Sequence, residues 1–325
     1  MPRRALLTIL ASAAALTLVS VFRLLIGGDT LGWPSDPAIA GFRLVHVASG
    51  VIVGGGLALA GVLLQSMLRN PLASPDLMGL SAGAGLAVTI SSYVTFLATG
   101  AVGVVNNAEI AALVGSFAAL AVVYTLSQRS WLIDPVAMVL VGVVVSFVLG
   151  ALTVFVQNLM PDRGESARRW LMGRLDDDTP TTTLAISGGV LLVSTMMSVA
   201  TGRWMDASAM SEDEARSAGV PLGGLRAMQF VVSGVLTGMA VAIAGPLGFV
   251  GLICPHLARL AAGPSHRTLV IASPLLGAAL VVAADCAVKA ARLGGGHLPI
   301  GVLTSLIGGP LFIWLLLRER ASMIR

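Results

Sequence analysis

Residues 54 to 75 read Gly54-Gly55-Gly56-Leu57-Ala58-Leu59-Ala60-Gly61-Val62-Leu63-Leu64-Gln65, then, after three residues, Arg69-Asn70-Pro71-Leu72-Ala73-Ser74-Pro75. Residues 54–65 are apolar, uncharged and dense in Gly and Ala, and they lie within a longer apolar stretch over residues 42–66. A membrane-spanning helix uses about 20 apolar residues. Small residues at this frequency let neighbouring helix backbones approach closely in a bilayer. Pro71 ends the helix, and irregular backbone at membrane depth is tolerated where it lines a cavity. The stretch therefore reads as a packed transmembrane helix that breaks at a turn.

The rest of the chain has the same character. Of 325 residues, 56% are apolar and 11% are charged, and the mean hydropathy is +0.91. Soluble domains carry about 25% charged residues, so a water-soluble enzyme is excluded, and so is a disordered chain. The apolar runs predict ten spans, at residues 5–26, 42–66, 80–99, 108–127, 135–157, 181–201, 225–245, 249–261, 269–291 and 299–317. The predicted class is an all-α polytopic membrane protein, residues 1–325 forming one transmembrane domain. The first run follows Arg3 and Arg4 and reads as a retained span rather than a cleaved signal. An even number of spans puts both termini on one side. The excess of arginine on that side makes it cytoplasmic by the positive-inside rule. The bias is modest, because the outer side also carries Arg163, Arg168, Arg169 and Arg174, with Lys289 and Arg292 near the end of another span. An outer cationic rim suggests an acidic partner there. No basic run with interleaved aromatics points to nucleic acid.

A weak internal repeat joins Ala58-Leu59-Ala60-Gly61, followed by Pro71-Leu72-Ala73, to Ala242-Ile243-Ala244-Gly245, followed by Pro255-His256-Leu257-Ala258. An offset of five spans inverts the topology, a common transporter design. The longest inner loop, residues 205–221, contains Ser211-Glu212-Asp213-Glu214-Ala215-Arg216-Ser217-Ala218-Gly219-Val220-Pro221. Ser211 and Glu214 have capping-box spacing, and the acidic residues suit a helix N-terminus. Gly219 is placed to end that helix and Pro221 to prevent its continuation. The loop therefore predicts a short docking helix on the cytoplasmic surface.

Several chemistries lack their residues. A Walker A loop needs a Gly-Lys-Ser/Thr sequence, but the single lysine, Lys289, is followed by Ala290. His46, His256, His266 and His297 have no metal-ligand spacing, so no metal site is expected. Cys254 and Cys286 read as buried thiols. Asp285 with Lys289 at i+4 reads as a neutralising pair near the outer end of a helix. Ionisable residues within the spans are few, so the chain is not expected to be an enzyme and is expected to draw its energy from a partner.

The opening block, continued by Gly79 and Ser81-Ala82-Gly83-Ala84-Gly85, resembles the FecCD family of ABC importer permeases, which serve iron-siderophores, haem and cobalamin. Two further blocks carry the likeness: Gly248-Phe249-Val250-Gly251-Leu252-Ile253-Cys254-Pro255-His256-Leu257-Ala258-Arg259, and Leu298-Pro299-Ile300-Gly301-Val302-Leu303-Thr304 with Gly308 and Pro310-Leu311-Phe312-Ile313. The resemblance implies the inverted-repeat fold of a type II importer permease in the cytoplasmic (inner) membrane. It implies a homodimer with two ATP-binding subunits below and a substrate-binding protein above. The chain itself would carry no cofactor, with ATP and Mg on the partner.

By the same resemblance, Glu212, Ala215, Arg216, Gly219, Val220 and Pro221 keep the pattern of a coupling helix, while Ser211 and Ala218 stand where Gly and Leu are often found. Asn70, Pro71 and Leu72 would form the cytoplasmic gate. Arg43, His46, Lys289 and Arg292 would face the binding protein; His46 stands where a second arginine is often seen, and His297 replaces a common glutamate. Two other readings are an ion-coupled secondary transporter relaying through Asp285, and a membrane enzyme or structural subunit.

Overall fold

The computed structural model describes residues 3–27, 32–100, 108–129, 132–133, 135–160, 172–291 and 298–323. Among these the regular structure is helical apart from one two-residue antiparallel ladder, in which Gln128 pairs with Ile133 and Arg129 with Leu132. The helices are α1 (Arg3–Leu25), α2 (Pro37–Met67), α3 (Leu80–Thr99), α4 (Ala108–Leu126), α5 (Pro135–Leu159), α6 (Thr181–Ser208), α7 (Glu212–Ser217), α8 (Leu222–Ala244), α9 (Val250–Ala262), α10 (His266–Ala290) and α11 (Ile300–Met323). A 3₁₀ turn, Pro75–Met78, precedes α3. Eight helices are long and apolar enough to cross a membrane, and α9 and the apolar part of α11 are shorter. With α7 set aside as the short helix of the 205–221 segment, these ten match the ten predicted spans.

Helix α2 is the axis of the bundle. It packs against α10, α8, α9, α6 and α1, and its apolar window is 83% buried. It begins five residues earlier than its hydropathy suggests. Asp36 caps it by accepting from the Ala38 N–H at 2.8 Å, and Pro37 occupies the first turn, where proline's missing N–H costs nothing. Helices α3, α4 and α5 form a second group, joined to the first through α8.

Glycine makes the closest crossings possible. A Cβ on Gly54 of α2 would lie 2.2 Å from the Gly277 carbonyl oxygen of α10, and one on Gly83 of α3 would lie 2.4 Å from that of Gly115 in α4. At each crossing backbone meets backbone, the small-residue packing that bilayer helices use in place of a hydrophobic driving force.

Helix α6 runs to Ser208, past its predicted end at residue 201, so residues 205–208 of the 205–221 segment are helix and not loop. Met205 is fully buried there, which extends the apolar face beyond the charged Arg203.

Candidate functional site

Polar and charged groups concentrate at the two ends of the bundle. At one end lies α7. The Ser211 backbone N–H donates to Glu214 Oε2 at 3.0 Å, and the Glu214 N–H donates to Ser211 Oγ at 3.3 Å, closing the capping box. The Ser211 bonds hold the Glu214 carboxyl below the usual glutamate range. The C-terminus is a Schellman motif. The Val220 N–H donates to the Ala215 carbonyl, the Gly219 N–H donates to that of Arg216, and Gly219 takes φ +78°. Ala215 and Val220 are both buried in the main core, so the motif also supplies its apolar contact. Glu212 accepts from Arg226 Nη2 of α8 at 2.5 Å and lies 3.6 Å from Arg216. The Arg226 hydrogen bond, followed by its charge, depresses the Glu212 carboxyl. α7 is thus bound to α8 on one side, while nothing lies within 4 Å of a Cβ on Gly219.

Beside α7 opens a cleft of about 650 Å³, lined by Gln65, Arg69, Asn70, Asp206, Arg259 and His266 among others. The turn after α2 forms one wall. Arg69 has φ +47°, the Asn70 N–H donates to the Gln65 carbonyl at 3.1 Å, and Asn70 Oδ1 accepts from the Leu72 N–H at 2.9 Å. Leu72 is exposed at this turn. Asp206, at the end of α6, caps α10 by accepting from the His266 N–H at 2.7 Å, with Ser265 Oγ at 3.2 Å and His266 Nδ1 at 2.8 Å. Arg259 Nη2 donates to Gln65 Oε1 at 3.3 Å. The cleft is therefore a junction of α2, α6, α9 and α10, with Asn70 and Pro71 in its wall.

The opposite end differs from expectation. Asp285 is buried in α10, and its partners are Arg23 of α1 and His46 of α2, both also buried. Among the described residues it forms no ion pair with Lys289, which corrects the i+4 reading: the carboxylate pairs with Arg23 and His46 in the bundle interior. Arg43 is 8% exposed, and its Nη1 donates to the carbonyls of Leu24 at 2.6 Å and Gly32 at 2.9 Å. His46 is 2% exposed. Neither side chain is presented to solvent in this conformation; both tie α2 to its neighbours. Lys289 is half-buried on the last turn of α10. Arg292 and His297 lie outside the described residues.

Arg23, Asp177 and Arg226 were not singled out from the sequence. Arg23 did carry a signal, as an ionisable residue in an apolar run needs a partner. Among the described residues no group of three or more His, Cys, Asp or Glu side chains is arranged to hold a metal ion.

Comparison with known proteins matches this arrangement to a family. The chain is 32% identical over 280 residues to a hemin transport system permease of Yersinia pestis, covering 86% of this chain and 82% of that one. It is 35% identical over 288 residues to a cobalamin import system permease of Halobacterium salinarum, covering 86% and 72%. It is 33% identical over 280 residues to the Fe(3+) dicitrate transport system permease of Escherichia coli, covering 86% and 85%. A solved structure of a metal-chelate type ABC transporter in an inward-facing conformation superposes with a TM-score of 0.82 at 29% identity, covering 95% of this chain and 98% of that one. The profile of the FecCD transport family matches residues 4–318. This all-helical, multi-pass membrane protein belongs to the FecCD transport family.

Proposed function

We propose that the chain is the permease subunit of an ATP-binding cassette importer that moves a metal chelate or related large cofactor, such as a ferric siderophore, haem or cobalamin, across the cytoplasmic membrane. It works as a homodimer. Two ATPase subunits dock at the α7 end, a substrate-binding protein docks at the far end, and both termini are cytoplasmic. The named substrates of the relatives support this range of cargo.

The observation that carries the reading is the construction of α7. A helix of six residues gains little from its own hydrogen bonds. This one has a capping box, a Schellman end and a part-buried ion pair to α8. Such bracing suits an element that transmits force. Glu212, Ala215, Arg216, Gly219, Val220 and Pro221 form the coupling element. Ala215, Val220 and the Glu212–Arg226 pair face the permease, and Gly219 leaves open space for the ATPase. ATP and Mg are held by that partner. Movement of α7 shifts a conformational equilibrium at the gate turn Asn70-Pro71-Leu72, the population shift arising from a ligand on another chain. At the far end Lys289, with Arg292, meets acidic groups of the binding protein. Arg43 and His46 act there by holding α2 in position. An ion relay through Asp285 is not favoured, because Arg23 and His46 already neutralise that carboxylate.

Reconstituted vesicles test the reading. Uptake of a ferric siderophore should need the cognate ATPase and ATP and should survive an uncoupler. Gly219→Trp should lower it at least tenfold with the permease still in the membrane. Gly219→Ala shares the left-handed backbone strain without the bulk and should retain most of it. Uptake with no ATPase present would refute the proposal.

A further inference from the structure

The far end of the bundle holds a charge network that the transport reading does not use. Residues 172–180 cross it as a strap. The Arg174 N–H donates to the Ala244 carbonyl at the end of α8 at 2.8 Å, and the Gly173 carbonyl accepts from the Ile300 N–H at the start of α11 at 3.0 Å. Leu175 is buried against the main core. A Cβ on Gly173 would lie 2.6 Å from the Pro246 carbonyl oxygen. At its other end the strap runs into α6, whose Leu184 N–H donates to the Pro180 carbonyl at 3.1 Å, and a side-chain tie joins it to α2, where Asp177 Oδ1 lies 2.5 Å from His46 Nε2. The other ring nitrogen, Nδ1, lies 3.2 Å from Asp285 Oδ2, off the line of a formed hydrogen bond.

A neutral imidazole has one N–H and one bare lone pair. Between two carboxylates, either tautomer turns that lone pair toward an anionic oxygen. Only the imidazolium offers a proton to both. Charge balance agrees: Arg23 and protonated His46 offset Asp285 and Asp177, whereas neutral His46 leaves one surplus negative charge. With His46 neutral, Arg23 still offsets the buried Asp285 and the surplus negative charge falls on Asp177, which is 56% exposed and solvated, so it is the tie between His46 and Asp177 that loses its charge. Among the described residues the other charged or titratable groups near the site are Arg43, Arg174, Asp176, Cys286 and Lys289. Arg43 holds the Leu24 and Gly32 carbonyls, Arg174 pairs with Asp176 at 2.8 Å, Lys289 sits one turn beyond Asp285, and Cys286 is a buried free thiol. Histidine is the side-chain type that changes charge near neutral pH.

We infer that His46 is a proton-operated latch on the strap of residues 172–180. With both ring nitrogens protonated it binds Asp177 to α2 and holds the strap down. On losing one proton to bulk water past the exposed Asp177, it exchanges the charged tie for one neutral N–H at most, and the stretch between the buried Leu175 and the start of α6 at Thr181 loosens.

A spin label reads the strap directly. It is placed at position 178 (Asp178→Cys) in the full chain in lipid nanodiscs, with Cys254→Ala and Cys286→Ala removing competing thiols. The mobile spectral fraction should rise at least threefold as pH is raised from about 5, below the ordinary histidine value of about 6.5, to about 10, well above it, since the flanking carboxylates favour the charged ring. His46→Gln, which cannot titrate, should remove the pH dependence. Asp177→Asn, at an exposed position that leaves the core intact, should do the same with the strap mobile throughout. A pH-independent spectrum in the otherwise native chain would overturn the latch. So would a pH dependence that survives in His46→Gln or, should that variant not fold, in Asp177→Asn.

Discussion

Glu212 shows how one side chain sets the attachment of α7. It accepts from Arg226, whose guanidinium lies at the buried start of α8, and it is also near Arg216. Its carboxyl titrates below the ordinary glutamate value. A depressed folded-state value means that ionisation favours the folded attachment. The contribution is fully present above the ordinary glutamate range, about pH 4.3, and is lost as pH falls through the lower folded value. Because Glu212 is 43% exposed, the pair contributes about 1 kcal/mol or less. Glu212→Gln should speed hydrogen exchange of the α7 amides by up to about fivefold near neutral pH, and that difference should begin to shrink below about pH 4.3 and vanish only once pH is under the depressed folded value. An unchanged exchange rate near neutrality would show that the pair does not anchor α7. Asp285 is the opposite case. Breaking a buried charge pair by removing one partner costs about 3–5 kcal/mol, so Arg23 and His46 are structural requirements for it. The sequence shows each of these ionisable residues, but not that Arg23 and Asp285, 262 positions apart, meet.

At the level of elements, the crossing of α2 and α10 carries the main core. Its closeness depends on Gly54 and Gly277, each of which would drive an added Cβ into the other's carbonyl. Overpacking typically costs about 1–3 kcal/mol, and more where backbone must move. Gly54→Ala should therefore lower the thermal midpoint measurably in detergent. Gly189→Ala, on α6 with nothing within 4 Å of the new methyl, should leave it unchanged or raise it, since alanine is the better helix former. Equal midpoints for the two variants would argue against the close crossing. The glycine and alanine richness of residues 54–61 signals such a contact, but composition does not say which helix is on the other side. The caps of α7 were legible residue by residue, because a capping box and a Schellman end are local. The extra turns of α6 and the early start of α2 were not, since hydropathy marks where a helix is apolar and not where its hydrogen bonds stop. The Asp36-Pro37 pair was the available local signal for α2.

For the whole molecule, the two ends divide the work. The α7 end offers a braced helix and an open cleft; the far end offers a strap, a buried charge network and the half-buried Lys289. If the binding protein docks at the far end, Lys289→Glu should weaken that complex, by up to about fivefold for an exposed pair. The loss should be larger at low ionic strength, where surface charges are less screened. Titration of the binding protein against nanodisc-embedded permease at two salt concentrations measures it, and equal affinities would remove Lys289 from the interface. Reversal at Arg43 would give a different result, loss of the α1–α2 tie, because its guanidinium is spent on two backbone carbonyls.

Membrane residence, the ten spans, the short capped helix and the lack of a nucleotide loop are all readable from the amino-acid order. They depend on hydropathy over about 20 residues or on hydrogen bonds within one turn. Three things needed the folded chain: that Asp285 belongs to Arg23 and His46 rather than to Lys289, that Arg43 and His46 point inward, and that residues 172–180 strap the far end. Each joins groups on different helices. A sequence period tells which face of a helix is apolar, while the angle and depth at which helices cross decide which buried charges meet.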